Sequence, residues 1–187
     1  IRSKLLARGL VIKNSGQAGI TIESSKSDSI DLMDIEITRS DGVGMMVNKG
    51  NVFIDWCYIN HGMADGFINN KSGLVEIKNS KIIKNKGNGI INHGNMIGYN
   101  LSVRENRHGI FTVSGFAVLT DISILNNRSN GLLIGGGSNA NIENSIIKNN
   151  QGYGLEITDW GQENYQSDWK KIQSPSVKIS NSNFLDN

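Results

Sequence analysis

Carboxylate and aromatic side chains are concentrated in one segment of the chain, 158–176. This segment contains two of the three tryptophans, a tyrosine, three acidic residues and the only proline. The chemically relevant residues are Asp159, Trp160, Glu163, Tyr165, Asp168 and Trp169. Aromatic rings that pack on sugar faces, with carboxylates that accept hydroxyl hydrogen bonds, are typical of a ligand site. The three aromatic residues and Asp168 are therefore predicted to bind carbohydrate, whereas Asp159 and Glu163 are candidates for a glycosidase carboxylate pair.

The alternative for this segment is structural. Long insertions on a regular scaffold often carry function, but they can also fold back on the scaffold. In that case the two tryptophans cover an apolar flank of the same chain.

A second group of candidates lies at equivalent positions after recurring glycines. Asn48, Asn70 and His93 each follow such a glycine by four residues, and Asp65 lies close to this group. A carboxylate and a histidine can share acid and base work, so Asp65 and His93 are candidate catalytic residues. Asn48 and Asn70 are candidate sugar-binding residues, and polar residues at a solvated strand end are the structural alternative.

These positions are set by an internal repeat. A glycine followed by an apolar residue recurs with spacings of 25, 22, 23, 20, 22 and 23 residues. The glycines are Gly19, Gly44, Gly66, Gly89, Gly109, Gly131 and Gly154. Two further columns hold mainly Asn and Asp. The first column is Asp34, Asp55, Asn79, Asn100, Asp121, Asn144 and Asn181, and the second is Ser40, His61, Asn85, Asn106, Asn127, Asn150 and Asn187. A period of this length is typical of a solenoid.

Composition decides the type of solenoid. The chain has 25 asparagines and 26 isoleucines but only 5 alanines and 7 glutamates, so strands and turns are favoured over helices. Short apolar runs separated by Gly and Asn predict strands with tight corners. We therefore predict an all-β, right-handed parallel β-helix of about eight coils of about 22 residues, with asparagine ladders at the corners. We expect residues 1–187 to form one domain, interrupted by a loop insertion at 158–176.

Particular repeats carry a family resemblance. The segments NSKIIKNKGNGII and NSIIKNNQGYGLEI resemble the repeats of right-handed parallel β-helix proteins of the pectin-lyase-like superfamily. This superfamily includes polysaccharide lyases, polygalacturonases, alginate epimerases and phage tailspikes. The resemblance implies polysaccharide as partner, an extracellular, cell-surface or virion-surface location, and Ca²⁺ as the one cofactor to consider. The catalytic motifs of these enzymes are absent from the matching strands, so no catalytic residue can be transferred and the chain's status as an enzyme stays open.

The strands after the glycines show a second pattern. The outward position, two residues after each glycine, is apolar in five consecutive coils. These residues are Met46, Ile68, Ile91, Phe111 and Leu133. An apolar stripe on a rod indicates a covering partner. Three alternatives remain, namely a loop or flanking segment of the same chain, a subunit interface as in a homotrimer, or a ligand groove. A non-catalytic stalk or adhesin repeat that oligomerises through the stripe is therefore the alternative to a polysaccharide-acting domain.

Several classes are excluded by bulk properties. A net charge of +2 with scattered lysines is no footprint for nucleic acid. The lone Cys57, placed on the outward side of its strand, excludes an internal disulfide and a cysteine-based zinc site, and no metal ligands are assigned. No apolar run is long enough to span a membrane. The first residue is Ile1, which favours a piece of a longer protein.

Overall fold

The structure is a computed structural model that describes residues 4–25, 28–72, 74–158 and 174–187. In these ranges every regular element is a strand, and all strand pairs are parallel. Each coil contributes strands to three faces of a solenoid, as the spacing of the apolar runs predicts. The fold class is confirmed. One sheet has 14 strands and forms two faces, and the other sheet has 7 strands and forms the third.

The first face contains β1 and alternate strands of the large sheet. Its strands are β1 (Lys4–Arg8), the first half of β4 (Ser29–Thr38), the first half of β6 (Asn51–Asn60), β8 (Leu74–Lys78), β11 (Asn95–Tyr99), β14 (Gly115–Thr120), β17 (Ser138–Glu143) and β20 (Ser176–Ser180). The second face contains β2 (Val11–Lys13), the second halves of β4 and β6, β9 (Lys81–Ile83), β12 (Ser102–Arg104), β15 (Ser123–Leu125), β18 (Ile146–Lys148) and β21 (Asn183–Leu185).

The third face is the smaller sheet, with one strand per coil. Its strands are β3 (Ile20–Glu23), β5 (Met45–Lys49), β7 (Phe67–Ser72), β10 (Ile90–Asn92), β13 (Ile110–Thr112), β16 (Leu132–Ile134) and β19 (Leu155–Ile157). Because this sheet has 7 strands in the described ranges, complete coils are slightly fewer than the predicted eight. The described part of the chain contains no helix with the length and hydropathy of a membrane span.

A single left-handed residue makes the first corner, between the first and second faces. The column is Gly9, Asp34, Trp56, Asn79, Asn100, Asp121, Asn144 and Asn181, with φ between 46° and 67°. Asparagine, aspartate and glycine adopt this conformation at the lowest cost. The predicted column therefore holds except in one coil. There Trp56 occupies the corner, and Asp55 is the last residue of the strand before it, paired with Met33 and Lys78.

Because this corner lies one residue later than predicted, the inward and outward positions in the second half of β6 are exchanged. Cys57 points into the core with 2% exposure, and Tyr58 takes the outward position. The prediction that Cys57 is outward is therefore wrong. Burial raises the pKa of the Cys57 thiol to about 12.

The second corner, between the second and third faces, carries the asparagine ladder. Its members are Asn85, Asn106, Asn127, Asn150 and Asn187. At Asn127, the Oδ1 atom accepts the backbone N–H of Asn106 at 3.0 Å, and Nδ2 donates to the Val103 carbonyl at 3.3 Å. Nδ2 also donates to Oδ1 of Asn150 at 2.9 Å. The ladder thus supplies hydrogen bonds inside the solenoid where water is excluded.

His61 does not belong to this ladder, which corrects the predicted column. In that coil the equivalent position is Gly62, whose N–H donates to Oδ1 of Asn85 at 3.0 Å. His61 instead begins the second corner with a positive φ of 55°. Its Nδ1 atom and Oδ1 of Asn60 form a hydrogen bond of 2.5 Å.

The repeating glycine has a steric cause. A Cβ atom on Gly89 would lie 2.4 Å from Cγ1 of Val103 and 2.6 Å from the carbonyl oxygen of Gly109. Both contacts are with the next coil, so any side chain would push the coils apart. Inward isoleucines and related residues fill the space between the three faces, where stacking buries them almost completely.

Candidate functional site

The predicted apolar stripe forms a continuous column on the third face. Met46 pairs with Ile68, Ile68 with Ile91, Ile91 with Phe111, and Phe111 with Leu133. We call these five residues the apolar column. Four of them are half-buried, and Leu133 is only 8% exposed. The column therefore forms a floor of moderate accessibility, with Thr21 and Glu156 as its polar ends.

One side of this floor carries the predicted polar residues. Nδ2 of Asn70 donates to Oδ1 of Asn48 at 2.7 Å, and Nδ2 of Asn48 donates to Oε1 of Glu23 at 2.8 Å. Asn48 and Asn70 are therefore neighbours in adjacent coils, and their role in sugar binding stays a prediction. His93 follows β10 directly, and its carbonyl accepts the hydroxyl of Ser114 at 2.9 Å.

The other side carries a ladder that we call the polar wall, formed by Asp65, Asn88, His108 and Asn130. Each of these residues directly precedes the repeat glycine of its coil. Oδ1 of Asp65 accepts the backbone N–H of Asn88 at 2.6 Å and its Nδ2 at 2.9 Å. Asp65 is therefore hydrogen-bonded within the wall, and the catalytic roles predicted for Asp65 and His93 stay predictions.

His108 continues the polar wall and is half-buried. Its Nδ1 atom accepts the backbone N–H of Asn130 at 3.3 Å, so the imidazole is neutral and its proton is on Nε2. Burial lowers the pKa of His108, as does the positive charge of Arg107, while Glu156 raises it. Next along the wall, Asn130 donates from Nδ2 to Oε2 of Glu156 on the third face. The wall therefore lies beside the floor.

At Asn88 the polar wall lacks one hydrogen bond. The corner between Asn106 and Gly109 is one residue shorter than that between Asn85 and Gly89. Oδ1 of Asn88 is buried there and has no hydrogen-bond partner among the described residues. The sequence marks this irregular corner only by the number of residues between the ladder asparagine and the repeat glycine, which is one fewer here than in the preceding coil.

Three exposed cations run alongside the polar wall. Lys86, Arg107 and Arg128 each directly follow a ladder asparagine, so they lie at the same corner in three consecutive coils. We call them the basic column. Within the described ranges none of them forms an ion pair with a carboxylate, whereas Lys84 and Arg104 both pair with Glu105. Sequence reasoning alone misses this column, because the lysines and arginines look scattered until the coils are aligned.

Nη2 of Arg128 reaches back across two coils. It donates to the carbonyl of Asn85 at 3.0 Å and to that of Lys86 at 2.9 Å. In the short corner the N–H of Arg107 bonds to Gly87, which leaves these two carbonyls for the guanidinium. Arg128 therefore fills the gap that the missing residue creates.

The candidates in the insertion lie outside the described residues. These are Asp159, Trp160, Glu163, Tyr165, Asp168 and Trp169, and their predicted roles remain predictions. The calcium that the resemblance implies needs several oxygen ligands together. Within the described ranges no three His, Cys, Asp or Glu residues form a group that could hold a metal ion, and calcium binding stays a prediction.

Comparison with known proteins gives the class. The family model described as "Right handed beta helix region" matches residues 2–167 of the chain. The protein therefore belongs to the right-handed β-helix family. Its structure is similar to the crystal structure of pectate lyase Pel9A, with a TM-score of 0.61 and 16% identity, over 96% of this chain and 69% of that chain. This likeness confirms the predicted pectin-lyase-like fold. No curated protein matches the chain.

Proposed function

We propose that this β-helix domain binds an acidic polysaccharide along the third face, between the polar wall and Asn48 and Asn70. The basic column carries the proposal. Stacked strands lie about 4.8 Å apart, and at that distance two unit charges in water repel by about 1 kcal/mol. Arg128 is held by two backbone carbonyls, but Lys86 and Arg107 have no carboxylate partner among the described residues. An extended polyuronide would bring carboxylates at a similar spacing and so relieve the repulsion between these cations.

The flanking groups support the same ligand. The polar wall offers the Nε2 proton of His108, and the opposite side offers the amides of Asn48 and Asn70, so hydroxyls can bond on both sides of the floor. Phe111 supplies a flat apolar surface between them. The related fold of a pectate lyase agrees with a polysaccharide ligand. Such a polymer lies outside cells, so we place the domain in an extracellular, cell-surface or virion-surface location.

Affinity gel electrophoresis with polygalacturonate or alginate in the gel tests this proposal. We expect the anionic gels to retard the wild-type protein, and the double variant Lys86→Gln, Arg107→Gln to bind at least tenfold more weakly. The matched control is Lys13→Gln, Lys178→Gln, which removes the same charge from exposed lysines elsewhere. If both double variants lose retardation equally, binding depends on net charge and the proposed site is wrong.

Catalysis is tested separately on the same polymers. A lyase creates unsaturated ends that absorb in the ultraviolet, and a hydrolase creates reducing ends without that absorbance. If cleavage occurs, Asp65→Asn and His93→Ala variants test these two candidates, and Asp159→Asn and Glu163→Gln test the pair in the insertion. Activity that survives all four changes would remove every candidate that the sequence supplies.

A structural stalk that oligomerises is the second candidate function. The observation that favours it is the in-register apolar column, which a homotrimer or a flanking segment could cover. Light scattering coupled to size exclusion measures the mass of the wild type and of the triple variant Met46→Ser, Ile68→Ser, Ile91→Ser. A trimer that becomes a folded monomer supports the stalk, and a wild-type monomer refutes oligomerisation of this domain through the column.

A further inference from the structure

A groove on the first corner lies away from the third face. It has a volume of about 370 Å³ and runs from Trp56 across the coils of Asn79, Asn100, Asp121 and Asn144. Its far side is formed by the outward residues of the second face, Lys81, Ser102 and Ser123. The groove therefore follows the solenoid axis and crosses five coils.

Trp56 stands out at the end of this groove. The side chain is 64% exposed, although tryptophan is a large apolar residue. Its φ of 55° is a left-handed conformation, which bulky side chains adopt only at a cost. Asparagine or aspartate would be the less strained choice, as the neighbouring coils show. An exposed aromatic ring kept in an unfavourable conformation indicates a function for the ring.

Side-chain amides along the groove form a ladder of hydrogen bonds that ends at Asn100, in the middle of the groove. Nδ2 of Asn79 donates to Oδ1 of Asp55, and Nδ2 of Asn100 donates to Oδ1 of Asn79, both at 2.8 Å. The next residue in the column is Asp121, whose carboxylate has no N–H to give to Asn100. Two acceptors therefore follow one another without a donor between them, and a ligand that carries hydroxyl groups could supply it.

The groups opposite suit the same kind of ligand. Ser102 and Ser123 present hydroxyls that make no hydrogen bond to other described side chains, and Lys81 forms no ion pair with a described carboxylate. Lys81 and Asp121 balance in charge, which contrasts with the uncompensated basic column at the second corner. The groove thus combines a flat apolar ring with alternating donors and acceptors and no net charge.

We propose that the first-corner groove is a binding site for a neutral polysaccharide chain, with Trp56 stacked on a sugar ring at one end. Strands repeat every 4.8 Å or so along the groove, so each coil offers a similar set of polar groups to successive units of an extended chain. Asn100 and Asp121 accept hydroxyl hydrogen bonds in the middle of the site. This site is separate from the acidic-polysaccharide site, and the failure of either proposal would leave the other unaffected.

The test is affinity electrophoresis in gels that contain galactomannan, xyloglucan or mixed-linkage β-glucan. The variant Trp56→Asn places the common residue of the column at the corner, and Asp121→Asn completes the amide ladder. Both should weaken binding at least tenfold while the melting temperature stays equal or rises. Tyr153→Asn is the matched control, because Tyr153 is 66% exposed on the second corner, and it should bind like wild type.

The outcomes separate this site from the other one. Neutral-gel binding that is lost with Trp56→Asn and kept with Tyr153→Asn supports the proposal. No retardation of the wild type in any of the three neutral gels overturns it, as does equal loss in both aromatic variants. Retardation in polygalacturonate that survives Trp56→Asn leaves the third-face proposal untouched.

Discussion

At the scale of single residues, buried amides in this solenoid replace hydrogen bonds that water would otherwise make. Asn127 illustrates the point, since its side chain accepts one backbone hydrogen bond and donates to a carbonyl and to the next amide. The neighbouring Asn126 is exposed and serves only as a left-handed residue with a φ of 56°. Adjacent asparagines therefore have different physical roles.

We expect Asn127→Leu to lower the free energy of unfolding by about 2–4 kcal/mol, because several buried backbone groups lose their partners at once. Asn126→Gly is the control and should change stability by less than about 0.5 kcal/mol, since glycine tolerates the same φ. Urea denaturation followed by circular dichroism measures both variants. An equal decrease in the free energy of unfolding for both variants would show that the ladder hydrogen bonds do not stabilise the fold.

His108 gives the molecule a specific response to acid. Its folded pKa lies below the ordinary value of 6.5, so the unfolded chain takes up a proton first as the pH falls. Stability from the neutral ring is complete above about pH 6.5 and decreases towards the lowered folded pKa. His108→Asn keeps an acceptor for the N–H of Asn130, and we expect it to lose less stability between pH 7.5 and pH 5. The measurement is the melting temperature of both proteins between pH 5 and pH 7.5. Parallel curves of melting temperature against pH would contradict the role assigned to His108.

At the scale of elements, the corners are less regular than the strands. The strands keep their register through every coil of the third face, apart from shifts at the ends of β3 and β5. The second corner loses one residue between Asn106 and Gly109, and Arg128 compensates from the following coil. The Arg128 side chain thus compensates for the shorter corner, and the neighbouring strands keep their register.

Arg128→Met should therefore destabilise the protein by about 1 kcal/mol, because two carbonyls lose a charged donor. Arg107→Met is the matched change in the adjacent coil. It should leave stability unaltered or raise it slightly, since it removes one of three stacked cations. Chemical denaturation of both variants gives the comparison. A larger loss for Arg107→Met than for Arg128→Met would refute the role assigned to the Arg128 guanidinium.

The same contrast explains what the sequence could and could not predict. Glycine and asparagine mark strand ends because few other residues fit there, so the repeat, the faces and the apolar column follow from residue types alone. Trp56 occupies a left-handed corner without being a turn residue, so residue types alone assign this corner to Asp55 and wrongly place Cys57 on the outward side. The polar wall around His108 and the basic column combine different residue types, and only the stacking of coils reveals them.

At the scale of the whole molecule, each coil packs mainly on its two neighbours. Inward residues of central coils, such as Ile82, are completely buried, whereas Ile12 in the first described coil is only partly buried. Stability in such an array is the sum of coil and interface terms. A core change should therefore cost more in the middle of the rod than near its end.

We expect Ile82→Ala to reduce the free energy of unfolding by about 2–5 kcal/mol and Ile12→Ala by clearly less. Both changes remove the same atoms from the same column of the second face, so burial is the main difference between them. Guanidinium titrations with a common baseline measure the two. A larger cost for Ile12→Ala would contradict the nearest-neighbour description.

The parallel pairing of each strand with the strand one coil away has a consequence for how the chain acquires its structure. Every strand of the third face finds its partner about one repeat back in the sequence, and none waits for a distant segment. A finished coil is thus a template that the next 20 to 25 residues can join. The domain can therefore order itself coil by coil while it is still being synthesised, each new coil covering the edge left by the one before it.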